Sequence, residues 1–69
     1  MTNTEMLNKK IDESGLKKGY LADKLKLSRF GLFKKINNES EFRTSEIVAL
    51  CRELKLTTKE RDQIFFCSK

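Results

Sequence analysis

Apolar residues along this chain recur three and four positions apart, and no segment sustains a period-two alternation, so its core must be built from amphipathic helices. The clearest stripe is Ile47, Leu50, Cys51 and Leu54, spaced i, i+3, i+4 and i+7 on one helical face. Leu7 with Ile11, Leu21 with Leu25, and Leu32 with Ile36 repeat the four-residue spacing in shorter segments. None of these is long enough to persist as an isolated helix, so each depends on packing against the others. The 69 residues hold no Pro, no repeat and no Gly/Ser linker. We therefore expect one all-α domain over 1–69, five short helices around a thin core.

Local signals mark the helix ends. Thr4 can cap the first helix, and Gly15 stands where a left-handed residue closes it. A second helix covers residues 19–25, and Ser28 caps a third that runs to about Asn37. Residues 37–41 are polar and rich in turn formers, which reads as a loop. Thr44 or Ser45 can cap the fourth helix, and Thr57 with Glu60 forms a capping box for a fifth that ends near Phe66.

Composition then excludes much chemistry. The chain has no His, so a His general base and a His-ligated zinc are ruled out, and two Cys cannot fill a four-ligand zinc site. There is no coherent nucleophile–base pair and no Gly loop that could cradle a phosphate. We expect no enzyme activity, no metal, no cofactor and no small-molecule substrate. No apolar run approaches the roughly 18 residues that cross a bilayer, and no signal-peptide segment opens the chain. With so few Cys the thiols are expected reduced, in the cytoplasm.

The net charge of +5 is concentrated. Residues 16–37 hold seven Lys or Arg against Asp23 alone, an excess of six, while the remainder is near neutral. Such a block suits a polyanion-binding surface, because each phosphate it neutralises releases condensed counterions. It equally suits a solvated Lys-rich face that serves solubility. Charge alone leaves both open.

The same residues carry a pattern. Ala22 supplies the small residue needed where two helices cross, and Leu21, Leu25, Leu27 and Leu32 flank it with apolar surface. Leu25-Lys26-Leu27 makes a tight turn and Ser28 starts the next helix, which could then lie in a major groove. On the run Leu21-Ala22-Asp23-Lys24-Leu25-Lys26-Leu27-Ser28-Arg29 the chain resembles the Cro/repressor-type, lambda-repressor-like helix-turn-helix family of phage and bacterial regulators. Residues 42–56 resemble that family's loop and fourth helix, and residues 60–66 are similar to the ending of small phage-encoded members.

The resemblance implies a five-helix lambda-repressor-like domain with its helix-turn-helix at about residues 18–37. It implies a sequence-specific transcription regulator, a Cro-like repressor of a phage or prophage switch, acting on double-stranded operator DNA in a bacterial host, as a homodimer. Carried over by position, Lys18, Arg29, Phe30 and Lys34 would approach base edges. Lys17, Lys26, Ser28, Lys35 and Asn38 would meet phosphates, which position the domain without reading sequence.

Several residues depart from the family's pattern. Lys26 stands where Gly is usual and must accept a left-handed conformation. Gly31 lies inside the recognition helix, at a cost of about 1 kcal/mol relative to Ala. Phe30 and Phe33 replace polar base readers. Phe33 is expected to tuck into the core, whereas Phe30, opposite Ile36, is either a thymine contact or a protein contact. An aromatic pair rimmed by lysines also fits an antirepressor of the same fold, which would inactivate a partner repressor through Phe30 and Phe33. Phe42, Phe65 and Phe66 are expected to pack, Cys51 to be buried and Cys67 exposed; Tyr20 is expected half-buried, with a phosphate contact as its alternative, and Asp12, Glu13 and Asp23 to be solvated.

Overall fold

Every helix but the second begins where a side-chain oxygen accepts a free backbone N–H, and each ends where the backbone turns left-handed or loses register. The computed structural model describes residues 1–66 and holds, among them, five α-helices and no strand. These are α1 (Thr4–Ser14), α2 (Lys18–Lys24), α3 (Arg29–Ile36), α4 (Thr44–Leu54) and α5 (Thr58–Phe65). Cys67, expected to be exposed, lies outside the described residues.

Two caps differ from the sequence reading. The cap of α1 is Asn3, whose Oδ1 accepts the Met6 N–H at 3.1 Å. Thr4 instead donates its hydroxyl to the Ile36 carbonyl at 2.6 Å, tying α1 to the end of α3. Arg43, not Thr44 or Ser45, caps α4, and Glu46 reaches back to accept the Arg43 N–H at 2.8 Å. The caps at Ser28 and Thr57 are as expected: Ser28 Oγ accepts from Gly31 at 2.9 Å, and Thr57 and Glu60 bond reciprocally.

The core takes residues from every helix. Leu7, Ile11, Leu21, Ala22, Leu25, Leu32, Ile36, Leu50, Ile64 and Phe65 are buried. Burial of each large member removes enough apolar surface to stabilise the fold by about 2 kcal/mol. Phe42 packs on it edge-to-face with Phe65, ring centroids 5.4 Å apart. Cys51 is only half-buried beside this core, and that burial pushes its thiol pKa up, away from reactive thiolate. Phe66, expected to pack, is exposed, with the Arg61 guanidinium over its ring.

The first residues bind the fold together. Thr2 exchanges two hydrogen bonds with the Asn38 side chain, at 2.8 and 2.9 Å, just past α3. Asn3 N–H donates to the Ile64 carbonyl of α5 at 2.7 Å. The N-terminus thus joins the ends of α3 and α5.

Candidate nucleic-acid interface

The relation between α2 and α3 is set by their turn. Leu25 ends α2, Lys26 adopts φ 60°, and the Leu27 N–H returns to the Ala22 carbonyl at 2.8 Å. Together with the Lys26 N–H on Asp23, this closure uses the last carbonyls of α2 and turns Leu27 inward against the core. A Lys at positive φ carries some strain that Gly would avoid. Asn38 (φ 66°) and Lys55 (φ 55°) close α3 and α4 in the same way.

That turn leaves most cations of the α2–α3 unit outside. Lys17, Lys18, Lys24, Lys26 and Arg29 are exposed, and Lys34 is half-buried. None of these six has a carboxylate within 4.0 Å among the described residues. Lys24 lies over the Tyr20 ring and Lys34 over the Phe30 ring, each at 5.5 Å. Tyr20 itself is exposed rather than half-buried, and its hydroxyl donates to Glu53 of α4 at 2.9 Å, a bond that raises its pKa. That bond gives the hydroxyl a partner within the fold.

Three expected contact residues are engaged elsewhere. Lys35 reaches back to Glu46 of α4 at 2.6 Å, with side chains only 13% and 9% exposed. Burial by itself would raise the Glu46 carboxyl pKa, but the Lys35 ammonium and the Arg43 N–H outweigh it and hold it below its ordinary value. The Asn38 amide bonds the N-terminal residues. The Ser28 hydroxyl oxygen caps α3.

Phe33 is not in the core. It is 54% exposed, and Phe30 is 68% exposed. Leu32 and Ile36 already fill the inward face of α3, and the turn of about 100° per residue carries Phe33 outward. Beside Phe33 runs a cleft of about 130 Å³ between α1, α2 and α3, also lined by Asn8, Lys18, Arg29 and Asn37. Asn8 Oδ1 is buried there without a hydrogen-bond partner, and the Arg29 guanidinium folds back over Gly19.

The outward face therefore presents two phenylalanines beside cations that have no carboxylate partner among the described residues. Among the described residues no cluster of His, Cys, Asp and Glu could hold a metal ion, and no helix is long and apolar enough to cross a membrane. Comparison with family models, with curated proteins and with solved structures finds no match to this chain.

Proposed function

We propose that the chain is a DNA-binding transcription regulator of the lambda-repressor-like kind, with α2 and α3 as its helix-turn-helix and α3 as the helix that enters the operator major groove. One observation carries this reading. Six of the seven cations in residues 16–37 stand free of carboxylates, on the same helix pair whose turn has helix-turn-helix chemistry. Phe30 and Lys34 face the base edges, Phe30 suited to a thymine methyl. Lys17, Lys18 and Lys26 meet phosphates, and Arg29 stands where α3 enters the groove. A Cro-like repressor of a phage or prophage switch would act as a homodimer, its two α3 helices about 34 Å apart.

NMR mapping with duplex DNA from the neighbouring promoter tests the reading. Shifts at Lys17, Lys18, Lys26, Arg29, Phe30 and Lys34 are expected. Silence on α2 and α3 in the presence of excess DNA would overturn it.

A second reading, an antirepressor whose α3 face binds a partner repressor, is favoured by the exposure of both Phe30 and Phe33. A gel shift separates the two. A protein that shifts no promoter DNA, yet abolishes the shift made by the cognate repressor, is the antirepressor.

A further inference from the structure

Arg29 begins α3, but its side chain does not run out along that helix. The guanidinium lies across Gly19 in the first turn of α2, so close that a Cβ built on Gly19 would sit 2.8 Å from Arg29 Nε and 2.9 Å from Nη2. Real Cβ atoms do not approach nitrogen so closely, so any other residue at 19 displaces the guanidinium. Lys18 lines the adjoining cleft together with Arg29 and Asn8.

We propose that Gly19 is a positioning residue: having no side chain, it lets Arg29 lie across the start of α2, beside Lys18, where the guanidinium meets the DNA backbone instead of a base edge. The inference rests on the reading that α3 docks in the groove. In that arrangement the first helix of the pair crosses the sugar–phosphate backbone, so a cation held against α2 is at phosphate and away from the groove floor. Arg29 then adds affinity without sequence preference, in contrast to the base-edge role that its position alone implies. The φ of Gly19 makes no demand for glycine, because it sits in ordinary helix. Helix propensity favours Ala at such a position, so glycine here costs local stability, and the space that it leaves for Arg29 is the reason the structure offers.

The test is a double-mutant cycle of Gly19→Ala and Arg29→Ala, read by fluorescence anisotropy on two duplexes, one of mixed sequence and one selected from a random library by the wild-type protein. Arg29→Ala should weaken both duplexes by the same factor and lower the slope of log K against log salt by about 0.9. Gly19→Ala should weaken binding in the same way, while its melting temperature stays level or rises by up to about 5 °C. In the Arg29→Ala background Gly19→Ala should change nothing further. Wild-type binding by Gly19→Ala, a loss that persists without Arg29, or a larger Arg29→Ala loss on the selected duplex would each overturn the proposal. If the wild-type protein binds neither duplex, the DNA reading fails and takes the phosphate role of Arg29 with it. The Arg29 Nε–H resonance still decides the positioning: it moves in Gly19→Ala if the guanidinium rests on residue 19, and stays if it does not.

Discussion

Helices α3 and α4 meet through one ion pair and are built for opposite purposes. α4 turns Leu50 wholly inward, packs Ile47, Ala49, Cys51 and Leu54 against the core, and spends two carboxylates on its neighbours. Glu46 holds Lys35 of α3, and Glu53 holds the Tyr20 hydroxyl of α2. α3 commits only Leu32 and Ile36 to the core and leaves Phe30 and Phe33 outside. The difference teaches how a basic, aromatic face survives on so small a molecule. Its anchoring is done by Leu32 and Ile36, by the Thr4 hydroxyl on the Ile36 carbonyl and by carboxylates of α4, so its own outward residues need no partner within the fold.

Breaking the platform should have the largest effect. Leu50 is fully buried at the centre of the α4 stripe, and Leu50→Ala leaves a cavity that costs about 3–4 kcal/mol. A domain of this size has a total stability of only about 5 kcal/mol, so the variant should be partly unfolded near 37 °C in a thermal melt followed by circular dichroism. A melt within a few degrees of wild type would mean that α4 is not the platform.

The joint between the helices comes next. Glu46→Ala strips the partner from a mostly buried Lys35 and the acceptor from the Arg43 N–H, a loss of about 2–3 kcal/mol. The acid dependence has a definite sign. The folded Glu46 pKa lies below its ordinary value, so this carboxylate stabilises the fold above the unfolded pKa, and that contribution fades as pH falls through the folded one. Glu60, lowered first by its bond from Lys10, acts in the same direction. Urea melts between pH 7 and pH 3 should show stability falling on acidification, and Glu46→Gln should flatten the fall. An unchanged acid profile in Glu46→Gln would show that the pair contributes nothing.

How much of this was legible beforehand follows from the range of each interaction. Spacing of apolar residues located four of the helices, and the Thr57–Glu60 capping box the fifth, since burial of Leu7 and Ile11, or Leu32 and Ile36, is decided within one helix. Ser28, Thr57 and Gly15 announce their ends by local chemistry, and the left-handed Lys26 follows from a turn with no glycine. Asn3 displaced Thr4 as the cap because Thr4 had a better partner in Ile36, far away in sequence. Periodicity could not place Phe33, because a side chain about 100° from a core residue lies at a boundary that only the neighbouring helix resolves. Candidate contact residues on α2 and α3 were readable as a charged block, yet Lys35 and Asn38 were withdrawn from it by Glu46 and Thr2. The rest of Arg29 on Gly19 was invisible for the same reason, since it depends on how two helices cross.

The smallest expected effect on stability, and the sharpest on the comparison, is at Phe30. Its ring is two-thirds exposed and touches the Lys34 ammonium, a contact of about 0.5 kcal/mol at such a site. Phe30→Ala should therefore leave the melting temperature within a few degrees of wild type, in contrast to Leu50→Ala. Loss of an exposed aromatic ring should nonetheless weaken whatever the face binds. If α3 docks in a major groove, the loss should fall on duplexes with thymine at one position and be small elsewhere. If the face binds a repressor, the variant should lose that complex while DNA remains indifferent to the change. A large drop in melting temperature would instead make Phe30 part of the packing, and α3 would then resemble α4 after all.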